Sequence, residues 1–210
     1  MKNQLRTAIQ LTAMLVNATL LVDAWRTGVW LFALFALSEV LLMAYTTWTK
    51  PLGISSDWWG WAAAIFVLMF PLFSTDFLVT REMIPVWRLE LGDAVIACAF
   101  VLELSALAFL NTAFTQVPEA RKLVRKGLYR FVRHPLYTSY FIAYSGQAFM
   151  FNEWLYWLTF VIFVICQTIR ARAEERVLSR VFPLYEKYKQ QTGMFTPRLG
   201  RWPRWSLRRS

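Results

Sequence analysis

One stretch decides the fold of this chain: Trp154-Leu-Tyr-Trp-Leu-Thr-Phe-Val-Ile-Phe-Val-Ile-Cys-Gln-Thr-Ile169, which runs directly into Arg170-Ala-Arg-Ala-Glu-Glu175. As a helix, its apolar part has a length comparable with the ~30 Å hydrocarbon core of a bilayer. No Pro or Gly occurs between residues 154 and 180, so nothing in this segment should interrupt the helix. The stretch therefore predicts a membrane helix whose last turns carry charged residues into water.

Five further apolar runs precede this one, and the composition supports the same interpretation for them. Charged residues make up 17% of the 210 residues, against about a quarter in soluble domains. The six runs are approximately 7–24, 29–48, 58–74, 91–114, 136–151 and 154–169. We predict an all-α, polytopic membrane helix bundle of about six transmembrane helices. Five is the alternative, because the run 136–151 is short and contains Gly146 and Gln147, which indicate a partial crossing or a close pairing with the sixth run.

Lys and Arg residues are distributed unequally between the two faces that six crossings would create. All of them except Arg26, Arg81 and Arg88 fall on the face that carries both termini and the segment 115–135. The positive-inside rule places that face in the cytoplasm. It also accounts for the net charge of +10, so we expect a membrane as partner and no nucleic acid.

The carboxy-terminal half of the chain is expected to carry the chemistry. We divide one membrane domain into amino-terminal transmembrane helices, residues 1–114, and a second part, residues 115–210. The second part would contain a basic loop, a transmembrane hairpin and a cytoplasmic cap. Only two apolar runs separate the basic loop from Arg170–Glu175, so both should return to the same aqueous face. The loop also contains His134, the only histidine.

The basic loop has a compact order of residues that topology alone does not require: Gly127-x-Tyr129-x-x-x-Arg133-His134-Pro135-x-Tyr137. Gly127 permits a turn that other residues resist. Pro135 suits the first turn of the following helix. Arg133 and His134 would then lie at the amino-terminal mouth of that helix, where backbone N–H groups favour an anionic or carboxylate ligand.

The charged end of the last helix complements this loop. Arg170 and Glu174 are four residues apart, and Arg172 and Glu175 are three apart, so each pair can touch along the helix. Glu174 and Glu175 point about 100° apart. One of them can therefore take a cationic or hydroxyl-bearing ligand while the other holds an arginine. The alternative is a solvated helix with weak surface ion pairs.

Taken together, these two elements resemble the integral-membrane isoprenylcysteine carboxyl methyltransferase family and the related phospholipid methyltransferases. Phe182-x-x-Tyr185-x-x-Tyr188 and Pro197 extend the resemblance, which covers roughly residues 115–198. Ser139 and Pro183 stand where the family commonly has glycine. The four amino-terminal helices carry no motif of the family.

The resemblance implies a cytoplasm-facing S-adenosylmethionine pocket and a lipid-facing opening for an amphiphilic acceptor. On this basis Arg133 or the helix mouth would orient the cofactor's carboxylate, and Tyr185 or Tyr188 would close over the nucleoside. The residues implied for cofactor binding are Tyr129, Arg133, His134, Pro135, Tyr137, Glu174, Tyr185 and Tyr188. Those implied for catalysis, including the steering of the acceptor, are Arg170, Arg172 and Glu175. Four kinds of acceptor stay open from the sequence: a prenylated carboxylate, a lipid amine, a small thiol or another amphiphile.

Two other functions are alternatives to this one. The first is an NADPH-dependent membrane sterol or enone reductase, whose carboxy-terminal halves are loosely similar. Such proteins present a motif with Asp and Lys or Cys after the last helix, where this chain has Glu174 and Glu175. The second is a small-molecule transporter or sensor, which inverted repeats or paired broken helices would favour. No metal site is expected, because Cys98 and Cys166 fall inside predicted helices without ligand spacing.

Glu39 and Glu103 lie near the middles of predicted membrane helices, where an ionised carboxylate is costly and indicates a function. Two interpretations stay open from the sequence. The two side chains form a protonated, hydrogen-bonded couple, or they line the tunnel of the acceptor.

Overall fold

The computed structural model describes residues 2–26, 30–47, 51–74, 84–110, 113 and 117–198 of the chain. Over these residues the protein is mostly helical, as predicted. The helices are α1 (Lys2–Arg26), α2 (Trp30–Thr47), α3 (Trp58–Ser74), α4 (Val86–Leu110), α5 (Pro135–Phe151), α6 (Trp154–Val181) and α7 (Tyr185–Gln191). Each predicted apolar run forms the main part of one of the first six helices.

Among the described residues, α4 and α6 are long and apolar enough to cross a membrane. A shorter apolar stretch, Trp58–Leu68, lies in α3. The 28 residues of α6 correspond to about 42 Å at a rise of 1.5 Å per residue, which exceeds the hydrocarbon thickness of a bilayer. The expected continuation of this helix beyond its apolar part is therefore confirmed.

Close backbone contact holds α4 against α5. A Cβ atom built on Gly92 would lie 3.2 Å from the carbonyl oxygen of Gly146, and one built on Gly146 would lie 3.2 Å from that of Gly92. Small residues let membrane helices approach in this way. We expected Gly146 to mark a partial crossing or a close pairing with the last helix. In the structure it marks the contact with α4, while α5 meets α6 through aromatic packing such as Tyr144 against Phe163, with ring centres 4.5 Å apart.

Short non-helical segments meet at one end of the helices. Strand β1 (Gly53–Ile54) pairs with β2 (Glu119–Ala120) in antiparallel fashion, which joins the α2–α3 connection to the segment after α4. A short 3₁₀ helix, Gly127–Arg130, follows. Then Val132 forms a parallel bridge with Gly193, which follows α7. This end of the molecule therefore brings together segments from both halves of the chain.

Candidate functional site

The loop that precedes α5 has the turn geometry expected from its sequence. Gly127 has a φ of 58°, in the left-handed region that glycine enters without strain. A Cβ atom there would also lie 2.2 Å from the Phe109 ring. Pro135 begins α5, and His134 precedes it as the capping residue. The loop is thus shaped to deliver Arg133 and His134 to the start of α5.

Backbone hydrogen bonds to the segment after α7 fix these two residues. The N–H of Arg133 donates to the carbonyl of Gly193 at 2.9 Å, and the N–H of His134 donates to that of Met194 at 3.0 Å. The Thr138 hydroxyl donates to Phe195 O at 2.8 Å. The mouth of α5 is therefore held by the carboxy-terminal segment.

The hairpin of α5 and α6 brings the loop and the glutamate pair together, as predicted. His134 Nε2 lies 3.3 Å from Glu175 Oε1, and its Nδ1 lies 3.9 Å from Glu174 Oε2. The imidazole is 7% exposed and is stacked on the Tyr137 ring at a centre-to-centre distance of 5.2 Å. Its two nitrogens thus face two carboxylates in a buried setting.

Glu175 holds an arginine. The Arg133 Nε donates to Glu175 Oε1 at 2.6 Å, and its Nη1 donates to the carbonyls of Lys189 at 3.1 Å and Thr192 at 2.5 Å. The expected contact between Arg172 and Glu175 does not form in the described structure. Arg172 lies on the exposed side of α6, and Glu175 instead faces Arg133 and Lys189, whose Nζ is 3.5 Å away.

Glu174 belongs to a second buried group. The Arg170 Nε donates to Glu174 Oε1 at 3.3 Å, which confirms the predicted pair, and the Tyr137 hydroxyl donates to the same oxygen. Arg170 is only 1% exposed. Its guanidinium carbon lies 5.0 Å from the centre of the Tyr137 ring, within the range of a cation–π contact. Glu174 and Glu175 therefore pair with different arginines, as the angle of about 100° between adjacent side chains on a helix predicts.

A partly open cavity lies beside these groups and takes in most of the predicted cofactor residues. Its lining comprises Leu110, Ala113, Glu119, Arg121, Lys122, Leu123, Val124, Tyr129, Arg133, His134, Leu136, Tyr137, Glu174, Leu178, Tyr185 and Tyr188. Pro135 is buried next to the cavity at the start of α5. Arg170 and Glu175 lie behind the lining, bound to Glu174 and Arg133, and Arg172 lies outside it.

Tyrosines give the cavity neutral, hydrogen-bonding walls. Burial raises the pKa of Tyr129, Tyr185 and Tyr188 well above the usual phenol value, so each keeps its proton at physiological pH. The Tyr188 hydroxyl donates to Tyr129 O at 2.5 Å. The Tyr185 hydroxyl is buried and has no hydrogen-bond partner among the described residues. A buried hydroxyl of this kind is suited to a polar group of a ligand.

A further charged group of the cavity wall was not predicted. Glu119 lies between two arginines, with Oε2 at 2.8 Å from Arg6 Nε and Oε1 at 2.6 Å from Arg121 Nε. The sequence shows the adjacent Arg121 and Lys122. The positive-inside rule alone accounts for cations in that loop, so they did not indicate a site. Nothing in the sequence links Glu119 to Arg6 in α1.

Glu39 in α2 and Glu103 in α4 are both buried and lie close to each other. Ser38 Oγ donates to Glu103 Oε1 at 3.3 Å, and the Tyr140 hydroxyl donates to Glu39 Oε1. Two neighbouring buried carboxyl groups cannot both be ionised without strong repulsion. This favours the protonated couple over the tunnel lining, and neither residue is among those that line the cavity.

Comparison with known proteins finds a relative that matches a part of this chain. The nickel-cobalt-cadmium resistance protein NccN of Alcaligenes xylosoxydans xylosoxydans is 33% identical over 82 residues. The match covers 39% of this chain and 38% of that protein. The chain therefore spans well under half the length of this relative.

A family comparison covers the site itself. Residues 87–184 match the sequence model of the family described as "Phospholipid methyltransferase". The matched segment begins in α4, earlier than the resemblance seen in the sequence, and stops just before Tyr185 and Tyr188. It contains the loop, the hairpin and both glutamates. Over residues 87–184 this chain is thus similar to the phospholipid methyltransferase family, which is the family of the isoprenylcysteine and phospholipid methyltransferase class.

Proposed function

We propose that this protein is an S-adenosylmethionine-dependent methyltransferase that acts on an amphiphilic acceptor taken from the membrane, in the manner of isoprenylcysteine carboxyl methyltransferases. One observation carries the proposal. The His134–Tyr137 corner and Glu174, which lie 37 to 40 residues apart in sequence, meet in one buried cavity inside the family-matched segment.

The lining suits S-adenosylmethionine chemically. The rings of Tyr129, Tyr137 and Tyr188 offer flat apolar surfaces for a nucleoside and a sulfonium centre. The Tyr185 hydroxyl has a proton to donate and no partner among the described residues. Glu174 can accept hydrogen bonds from hydroxyl or ammonium groups. When bound, S-adenosylmethionine supplies an activated methyl group that a nucleophile on the acceptor can take directly.

The residues of the chain contribute positioning more than acid–base power. A methyl transfer needs the acceptor atom in line with the methyl group and water kept out, and orientation of this kind contributes strongly to rate. We infer that His134, held by two carboxylates and a ring stack, is a wall of the cofactor site. Glu175 acts through Arg133 and His134 as a positioning residue. Arg170 and Arg172 are proposed to steer the acceptor, Arg170 from behind Glu174 and Arg172 from the exposed side of α6.

We further propose that the protein crosses the membrane six times, with both termini and the cofactor site in the cytoplasm. Residues 1–114 would then supply amino-terminal transmembrane helices, and residues 115–210 the loop, hairpin and cytoplasmic cap. Exposed tryptophans lie at both ends of the helices, which supports two membrane–water interfaces. Trp58 and Trp59 begin α3 at the site end, whereas Trp154 begins α6 at the opposite end.

Calorimetry with S-adenosylhomocysteine on detergent-purified protein tests the cofactor. Wild type should bind, and His134→Ala and Glu174→Gln should weaken binding about ten- to hundredfold, because each removes a polar contact worth roughly 1.5–3 kcal/mol. Arg180→Gln, an exposed charge on α6 outside the cavity, is the matched control. Folding of each variant is checked by thermal unfolding. A folded wild type that does not bind S-adenosylhomocysteine contradicts the proposal.

The acceptor requires a transfer assay. Radiolabelled S-adenosylmethionine is offered with prenylcysteine analogues, aminophospholipids and small thiols in separate reactions. Transfer of the radiolabelled methyl group to one of these three kinds of compound identifies the chemistry of the acceptor. NADPH binding in place of S-adenosylhomocysteine binding would favour the reductase instead.

A further inference from the structure

Gln167 is a buried amide that the proposed mechanism does not use. It lies in α6, three residues before Arg170, and is 0% exposed. Neither its Nε2 nor its Oε1 has a hydrogen-bond partner in the part of the chain that the structure describes. Buried polar groups are nearly always hydrogen bonded, and polar side chains inside a membrane are costly and mark functional positions. Gln167 is therefore a candidate for contact with a ligand.

The contacts between α5 and α6 place Gln167 between the site and the apolar core. On the side of the site, the guanidinium carbon of Arg170 lies 5.0 Å from the centre of the Tyr137 ring. On the other side, the Phe163 and Tyr144 rings have centres 4.5 Å apart. Gln167 lies between these two contacts along α6, about one helical turn from Arg170.

One side of α6 becomes less polar in steps away from the cavity. Side chains three or four residues apart are neighbours on a helix. In order from the cavity, this α6 stripe comprises Glu174, Arg170, Gln167 and Phe163. Its first two side chains are charged, the third is neutral and polar, and the fourth is apolar. An amphiphile with an amide or ester group between a charged head and an apolar chain has the same order of polarity along its length.

We propose that Gln167 positions the acceptor by donating a hydrogen bond to a neutral carbonyl group that lies between the methylated head and the apolar chain. Where that carbonyl belongs to an amide, the Oε1 of Gln167 can also accept the amide N–H. This inference rests on the proposed function, because it assigns a contact to the acceptor of that reaction. A second point of attachment, one turn from Arg170, would fix the direction in which the head approaches the methyl group.

A purely structural role for Gln167 would require a partner inside the protein. The hydroxyl of Tyr140, on the facing helix, donates to Glu39. The hydroxyl of Thr168 donates to Val164 O at 2.7 Å. Replacing Gln167 with an apolar residue of similar size should therefore remove no internal hydrogen bond, and the unfolding midpoint should stay the same or rise.

The test compares Gln167→Leu with wild type in lipid nanodiscs, using two matched pairs of amphiphiles. N-acetyl-S-farnesylcysteine has an amide beside its carboxylate, and S-farnesylthiopropionic acid has the same chain and carboxylate without the amide. The second pair, 1-acyl- and 1-O-alkyl-lysophosphatidylethanolamine, differs only in the carbonyl. Partition of a probe into the bilayer is equal for all protein variants, so their affinities can be compared. Thr168→Val, whose hydroxyl is bonded within α6, is the control.

Wild type should bind the carbonyl-bearing member of one pair about three- to tenfold more tightly than its partner. Gln167→Leu should lose this preference, and Thr168→Val should keep it. The pair that shows the effect identifies the source of the carbonyl, a prenylcysteine or a glycerolipid. S-adenosylhomocysteine affinity should be unchanged in Gln167→Leu, because Gln167 is not among the residues that line the cavity.

Equal affinity ratios in wild type and Gln167→Leu for both pairs would overturn the proposal. Lower unfolding midpoints in both Gln167→Leu and Gln167→Met would also overturn it, since they would reveal an internal structural role. A wild type that fails to bind S-adenosylhomocysteine refutes the methyltransferase. The amphiphile titrations need no cofactor and still decide on Gln167.

Discussion

Glu174 and Glu175 are neighbours in sequence but have different tasks. Glu175 accepts the Arg133 Nε–H at 2.6 Å and lies 3.3 Å from His134 Nε2, so it braces the loop before α5. Glu174 accepts from Tyr137 and Arg170 and also lines the cavity. Replacing Glu175 should therefore affect the stability of the fold, and replacing Glu174 should affect ligand binding.

Glu175→Gln is predicted to lower the free energy of unfolding. The side chain of Arg133 is only 8% exposed. Removing one partner of a buried ion pair typically costs about 3–5 kcal/mol, because the other charge loses its compensation. Arg172→Gln, on the exposed side of the same helix and outside the described ion pairs, should cost little. Thermal unfolding in detergent compares the two. Equal midpoints for Glu175→Gln and wild type would contradict the bracing role.

At the scale of elements, the site depends on a bridge between segments that are far apart in sequence. The N–H groups of Arg133 and His134 find their acceptors at Gly193 and Met194, after α7. The chain turns sharply there, since a Cβ atom on Gly193 would lie 1.6 Å from Thr196 O. No side chain larger than hydrogen fits this turn without moving the backbone.

Gly193→Ala is therefore predicted to loosen the mouth of α5 while the helices persist. S-adenosylhomocysteine affinity should fall at least tenfold, and the far-ultraviolet circular dichroism should stay that of wild type. Thr196→Ala, an exposed side-chain change in the same turn, is the control and should bind normally. Undiminished affinity in Gly193→Ala would show that the bridge does not support the site.

How far the sequence predicts these elements depends on the range of the contacts. Apolar runs predict α3, α5 and α6 well, because helix formation in a membrane depends on composition over one segment, and the lack of Pro and Gly in α6 predicts its continuation as well. The Arg172–Glu175 contact was predicted from spacing alone and is wrong, because Arg133 from another segment takes the carboxylate. The bridge at Gly193 and the Arg6–Glu119 pair escape prediction, since they join distant segments without any pattern within either one.

At the scale of the whole molecule, the proposed orientation makes a prediction about access from each side. With Cys98 and Cys166 replaced by serine, a single cysteine is placed at Lys126, near the site, or at Glu153, in the turn between α5 and α6. Both positions are exposed. A membrane-impermeant maleimide should label Lys126→Cys only in inverted vesicles and Glu153→Cys only in right-side-out vesicles. Labelling of both positions from the same side would refute the crossing of the α5–α6 hairpin.

The bridge at Gly193 also has a consequence for biosynthesis. A ribosome completes α1 to α6 before residues 193 and 194 are made, so the membrane helices can assemble while the backbone N–H groups of Arg133 and His134 still lack their final acceptors. The pocket is finished only when the segment after α7 leaves the ribosome and docks against the loop. The membrane helices are therefore inserted before the pocket can bind a ligand. A nascent chain holds no completed site while α6, its last membrane helix, is being inserted.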